Sequence, residues 1–127
     1  MAKLTEGRAR KTILLVEDAG VVRPLVRNLL EHEGYQVLEA RDSVEALVIS
    51  AGHKGPISLL LTDIGLPGMN GYVLARRIRE TRPDIRTIYM SGYPGVDLGA
   101  PEGGAAYIEK PFQPKDLAAL VRRIVNE

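Results

Sequence analysis

The chain contains no cysteine. That excludes disulfides, thiolate metal sites and a cysteine nucleophile, and it is compatible with a reducing compartment. No apolar run approaches the ~20 residues that a membrane span needs. The N-terminus, Met1 to Lys11, is polar and basic and lacks the apolar stretch of a signal peptide. The expectation is a soluble, cytoplasmic protein with no membrane insertion. A strong charge of one sign is missing too, since the net charge is +1. It is unevenly spread. Lys3, Arg8, Arg10 and Lys11 against Glu6 give residues 1–11 a local +3, which leaves −2 for the remainder. A basic arm can touch nucleic acid, but this one reads as a solvated leader or the end of a linker. No direct nucleic-acid binding is expected, and no internal repeat is visible.

What is present is a chain of 127 residues, 45% of them apolar. That suffices for one domain with its own core. Apolar runs of strand length alternate with segments of helical period, which argues for an α/β parallel sheet. After the first strand come Val21, Val22, Leu25, Val26, Leu29 and Leu30, one apolar helix stripe. Gly34 suits the stop. Gln36 to Ala40 reads as the second strand. Asp42 followed by Glu45 resembles a capping box, with Val44, Leu47 and Val48 expected to face inward behind it. Gly52 and Gly55-Pro56 break that helix, and the third strand runs from about Ile57 to Thr62. Asn70-Gly71 opens a further helix to about Arg82, where Arg82-Pro83 closes it. The last helix starts after Pro111, has Pro114 in its first turn and turns Leu117, Leu120, Val121 and Ile124 inward.

Four short apolar runs each lead into a polar group. They are Ile13–Val16 before Glu17-Asp18, Leu59–Thr62 before Asp63, Thr87–Met90 before Ser91, and Ala105–Ile108 before Lys110-Pro111. In an open parallel sheet the carboxyl ends of the strands share one edge, and ligands bind there. Three carboxylates, a hydroxyl and an ammonium therefore converge on one pocket. That set suits a divalent cation together with a phosphoryl group held on a carboxylate.

The motifs Leu14-Leu15-Val16-Glu17-Asp18, Thr62 to Gly71, Met90-Ser91-Gly92-Tyr93 and Lys110-Pro111-Phe112, in that order and each at a strand end, resemble the receiver domain of two-component response regulators, the CheY-like group. The resemblance covers about Thr12 to Glu127, with residues 1–11 outside it as the leader. The Ser-Gly-Tyr form and the Leu-Pro-Gly-Met-Asn-Gly loop are most similar to receivers of hybrid sensor histidine kinases. The resemblance implies a flavodoxin-like, doubly wound five-stranded parallel sheet of order 2-1-3-4-5 with helices on both faces. It implies a phosphorylation-dependent signalling domain that assists its own chemistry, rather than a turnover enzyme.

By resemblance Asp63 is the phosphoacceptor, whose carboxylate attacks phosphorus and forms an acyl phosphate. Glu17 and Asp18 match the acidic pair that binds Mg²⁺, with Mn²⁺ as a substitute. Asp18 and Asp63 would coordinate directly, Glu17 through water, and the Gly65 backbone carbonyl would complete the protein's ligands. Three close carboxylates raise one another's pKa unless a cation is present. Lys110 matches the lysine that pairs with the acyl phosphate, and the Lys110-Pro111 bond is expected to be cis. Ser91 matches the switch hydroxyl and Tyr107 the switch aromatic. Gly65 and Tyr93 stand where the family tunes the access of water, Gly65 open and Tyr93 shielding. The implied partners are a histidine kinase or histidine phosphotransfer domain upstream and an effector of unknown kind downstream. In a hybrid parent the domain would be tethered to a membrane sensor kinase.

The departure from the family pattern lies between Ser91 and Lys110. The spacing is short, and Gly92, Gly95, Gly99, Gly103 and Gly104 with Pro94 and Pro101 fall within it. Such a segment loses much entropy on becoming helical. A fourth helix there should be short or irregular and open locally at low cost. His32 and His53 have no phosphotransfer context and read as surface residues. Three other readings compete. A haloacid-dehalogenase-type phosphatase needs a second acid two residues after the nucleophile, where Gly65 stands. A cobalamin or flavin module needs an Asp-x-His-x-x-Gly pattern or a Ser/Thr-rich phosphate loop, and neither appears. A phosphorylation-independent interaction domain has no need for the five matching side chains.

Overall fold

The structure is a computed structural model and describes residues 10–92 and 105–126. Five strands and four helices form among them. In chain order they are β1 (Thr12–Val16), α1 (Val22–His32), β2 (Gln36–Ala40), α2 (Ser43–Gly52), β3 (Leu59–Asp63), α3 (Gly71–Thr81), β4 (Arg86–Ser91), β5 (Ala106–Glu109) and α4 (Pro114–Val125). The expected irregular fourth helix and the shielding by Tyr93 lie outside the described residues, as does most of the leader.

The strands form one parallel sheet in the order β2-β1-β3-β4-β5. The central strands β1 and β3 are buried at every position. Their near-continuous apolar runs reflect that, because a parallel sheet between two helical layers has no solvent face. On one face Leu14, Val16, Leu60 and Tyr89 pack against Ala46 of α2 and Leu74, Ala75 and Ile78 of α3. On the other, Ile13, Leu15, Leu59, Leu61, Ile88 and Met90 pack against Val26 and Leu30 of α1 and Leu117, Val121 and Ile124 of α4. Each such Leu or Ile contributes about 1.5–3 kcal/mol by leaving water.

Local signals set the helix ends. Asn70 Oδ1 accepts from the Val73 amide at 3.0 Å. Asp42 Oδ1 accepts from the Glu45 amide at 2.8 Å, and Glu45 reaches back to the Arg41 amide at 2.7 Å. These side chains satisfy amides that have no partner within the helix. Gly34 takes a φ of 100° just past α1, a left-handed stop that suits glycine.

Two expectations for helix faces need correction. Val44 and Val48 do not face inward, being 68% and 67% exposed, while Leu47 is half-buried. The buried face of α2 is Ser43, Ala46 and Ser50. The reason is tertiary. The Ser43 hydroxyl donates to the Met69 carbonyl at 2.7 Å, and the Arg82 guanidinium donates to Ser50 Oγ and to the Ser50 and His53 carbonyls. These bonds set the rotation of a helix that is apolar nearly all round. In α1 the apolar stripe is wider than the core. Val26 and Leu30 are buried, but Val21 and Leu25 are 78% and 65% exposed.

Candidate functional site

The four strand ends meet at one edge. Glu17 follows β1, and its amide bonds to the Ala40 carbonyl at 3.1 Å, so β1–β2 pairing runs one residue past the strand. Asp63 is the last residue of β3 and Ser91 the last of β4. Lys110 follows β5, with its amide 2.6 Å from the Ser91 carbonyl. The Lys110-Pro111 bond is cis, as expected.

The Lys110 ammonium donates to Glu17 Oε1 at 2.6 Å and lies 2.6 Å from Asp63 Oδ1. The other Glu17 oxygen accepts from the Ala19 amide at 3.1 Å. Glu17 is fully buried, Asp63 is buried and Asp18 is exposed. One oxygen from each of these three carboxylates falls within 4.8 Å of the others. Asp18, Asp63, Gly65, Ser91 and Lys110 line an open pocket of about 350 Å³. A Cβ at Gly65 would meet nothing within 4 Å, so that side of the pocket is open, as expected.

The charges in this cluster oppose one another. Burial, the hydrogen bond with Glu17 and the Glu17 charge push Asp63 up to about 7, against the pull of Lys110. Burial would also raise Glu17, but its hydrogen bonds with Asp63, Lys110 and the Ala19 amide outweigh that and lower it. Burial would lower Lys110, and its bonds to Asp63 and Glu17 raise it instead. Asp63 therefore holds a proton well above the usual carboxylate range, while Glu17 stays ionised beside it. Three hard oxygen donors crowded until one carboxylate retains a proton fit a small divalent cation such as Mg²⁺.

Several residues that shape the site were not singled out for it by sequence. A Cβ at Gly71 would collide with the Asp63 backbone carbonyl, while the Gly71 amide bonds to the Ile64 carbonyl at 2.9 Å. Asn70-Gly71 was legible as a helix start, but nothing in it signals this approach. Arg23 on α1 donates to the Glu17 carbonyl at 2.8 Å and pairs with Glu39 at 3.5 Å. An arginine on a partly exposed helix carries no local sign of that role. Tyr107 is half-buried on β5, and its hydroxyl is 2.8 Å from that of Tyr72 on α3. His32 is exposed and His53 half-buried, both away from this edge.

A doubly wound parallel sheet of this order, with acidic and basic groups gathered at its carboxyl edge, defines a CheY-like α/β domain rather than a barrel or dinucleotide fold. The chain belongs to the response regulator receiver domain family, whose sequence profile matches residues 13–122. It is 36% identical over 129 residues to the sensor kinase CckA of Brucella abortus (strain 2308), covering 98% of this chain and 14% of that protein. It is 38% identical over 117 residues to the aerobic respiration control protein ArcA of Escherichia coli (strain K12), covering 90% of this chain and 48% of that one. The solved receiver domain of the hybrid histidine kinase CckA matches with a TM-score of 0.80 at 36% identity, covering 90% of this chain and 98% of that one. The chain thus spans half or less of these two curated relatives. No described helix is long and apolar enough to cross a membrane.

Proposed function

We propose that this domain accepts a phosphoryl group on Asp63 from the phosphohistidine of a histidine kinase or histidine phosphotransfer domain, and transmits the event through Ser91 and Tyr107. The observation that carries this reading is the Asp63 carboxylate at the mouth of an open pocket, 2.6 Å from the Lys110 ammonium and clustered with Glu17 and Asp18.

An Asp63 oxygen attacks phosphorus. The P–O bond forms as the P–N bond to the donor imidazole breaks, and the electron pair leaves on the imidazole nitrogen. Attack needs the ionised Asp63 carboxylate, a form that a bound cation and the Lys110 ammonium favour. Asp18, Asp63, the Gly65 carbonyl and, through water, Glu17 would hold Mg²⁺, with Mn²⁺ as a substitute. The cation supplies charge neutralisation for the carboxylates and the phosphoryl oxygens. Lys110 gives the transferred group a cationic partner. The phosphoryl adds about −1.5 to −2 charges. Ser91 lines the same pocket, so its hydroxyl can donate to a phosphoryl oxygen and draw the end of β4 inward. Tyr107 lies beside β4 on β5 and reads that movement, settling over the sheet.

The donor has a surface to approach. The α1 residues Val22, Leu25 and Leu29 form an apolar groove with Pro111 and Phe112. Gly92 and Lys110 line both this groove and the Asp63 pocket. A donor protein seated there by an apolar face brings its histidine to the pocket mouth. This assigns a use to Leu25, which the core leaves exposed.

The likeness to CckA supports a hybrid kinase as the parent chain. Incubation with a small acyl-phosphate donor and Mg²⁺ should add one base-labile phosphate per chain and then stop. Continued turnover would point to a phosphatase, and undiminished labelling of Asp63→Asn would sink the assignment.

A further inference from the structure

Tyr72, Tyr89 and Tyr107 form a cluster that the chemistry at Asp63 does not use directly. Tyr89 on β4 and Tyr107 on β5 are register partners in parallel strands, so their side chains leave the same face of the sheet. Tyr89 is buried in the core on that face. The Tyr107 ring lies 5.4 Å from the Tyr89 ring, and the Tyr72 ring packs on Tyr89 at 4.7 Å. Tyr72 and Tyr107 meet edge to face at 6.4 Å and 72°, with their hydroxyls 2.8 Å apart. Tyr89 is thus the floor on which the other two rings rest, and the two hydroxyls close over it.

The position of Tyr72 is not arbitrary. It is the second residue of α3, directly after Gly71, whose Cα sits against the Asp63 carbonyl. Tyr107 lies three residues before Lys110, whose amide is bonded to Ser91. The pair therefore joins the two segments that carry the phosphoacceptor and the switch hydroxyl.

We propose that the Tyr72 hydroxyl is a latch that holds the Tyr107 ring over Tyr89 in the phosphate-free protein. It thereby sets how much of the population already stands in the signalling arrangement of the β4–β5 edge. This rests on the reading of Tyr107 as the switch aromatic. Tyr72 is a positioning residue and touches none of the reacting atoms. A hydroxyl that favours one position of Tyr107 also favours, by up to the same factor, whatever that position favours at Asp63, because affinity follows the population of the competent state. The size is that of one neutral hydrogen bond, about three- to tenfold in an equilibrium constant.

The test uses Tyr72→Phe, which keeps the ring on Tyr89 and removes only the hydroxyl, beside Tyr107→Phe and the double variant. Beryllofluoride with Mg²⁺ serves as the phosphoryl mimic, and the Tyr107 ring resonances are followed by NMR. In Tyr72→Phe the Tyr107 ring signals should move toward those of a free tyrosine. Apparent beryllofluoride affinity should fall about three- to tenfold, with Mg²⁺ affinity unchanged. The effects of the two single changes should be less than additive in the double variant, since both remove the Tyr72–Tyr107 bond. Unchanged ring signals, an unchanged or raised affinity, or additive effects in the double variant would each overturn the latch. If the wild type takes up no beryllofluoride, the phosphoacceptor reading of Asp63 fails separately, and the ring signals alone decide the latch.

Discussion

The Lys110 ammonium stands 2.6 Å from the Asp63 carboxylate, although the two residues are forty-seven positions apart in sequence. Lys110 is equally close to Glu17, so in the absence of a cation one ammonium serves two buried carboxylates. One positive charge does not neutralise two negative ones, and this imbalance adds to burial, the larger cause, in lifting Asp63.

That imbalance gives a pH dependence with a definite sign. Asp63 ionises near 7 when folded and near 3.8 as an ordinary carboxyl. The folded state therefore holds the proton more tightly between those values. Its stabilising contribution is complete below about 3.8 and is lost as the pH rises through about 7. Glu17 is shifted downward, and its contribution is lost only as the pH falls below its ordinary value of 4.5. The window from about 5 to 7 thus belongs to Asp63. Metal-free protein should lose stability across it, with a limiting slope of about 1.4 kcal/mol per pH unit. Asp63→Asn should flatten the curve. Thermal unfolding at pH 5, 6, 7 and 8 in chelator measures this, and stability that rises over the range would refute it.

Mg²⁺ affinity should depend on Asp18 more than on any other side chain that can change without harm to the fold. Asp18 is exposed, so Asp18→Ala should alter stability by less than about 0.5 kcal/mol. It should lower Mg²⁺ affinity at least about tenfold, the loss of one direct carboxylate ligand. Glu17→Ala should lose less affinity but more stability, because it strips Lys110 and the Ala19 amide of a buried partner. Titration calorimetry beside urea unfolding separates the two effects. Equal Mg²⁺ affinity in wild type and Asp18→Ala would remove Asp18 from the ligand set.

Gly71→Ala tests the packing beneath the phosphoacceptor. The added methyl meets backbone, which has no rotamer by which to yield. A cost of about 1–3 kcal/mol is expected, together with slower labelling of Asp63, whose carbonyl is displaced. Urea midpoints and labelling rates report the two. A variant as stable and as readily labelled as wild type would show that α3 can shift freely.

The groove beside the pocket predicts a split between donors. Leu25→Glu changes an exposed residue and should leave stability within about 0.5 kcal/mol. Labelling by a small acyl phosphate should be unaffected. Transfer from a phosphorylated histidine protein should slow about tenfold or more, because a charge in an apolar docking surface must be desolvated. Parallel slowing with both donors would place Leu25 in the chemistry rather than in docking.

The strand ends, and with them Glu17, Asp18, Asp63, Ser91 and Lys110, were legible in the amino-acid order. A buried parallel strand needs a continuous apolar run, and a polar residue directly after it marks where the run leaves the core. The caps at Asp42 and Asn70 were legible for a similar reason, since each bonds an amide three residues away. What the order of residues missed or misjudged was the contacts that depend on a particular distant side chain. The rotation of α2 was misjudged, with Val44 and Val48 expected inward, because a 3.6-residue period cannot choose a face in a helix that is apolar nearly all round. Ser43 against Met69 and Arg82 against Ser50 made that choice. The approach of Gly71 to Asp63, the Arg23 bond to Glu17 and the meeting of Tyr72 with Tyr107 also came only with the tertiary structure. Local sequence determines which segments become strands and helices and what chemistry stands at their ends. The distances at which those groups meet are set by sheet register and helix packing, which join residues that the chain itself keeps far apart.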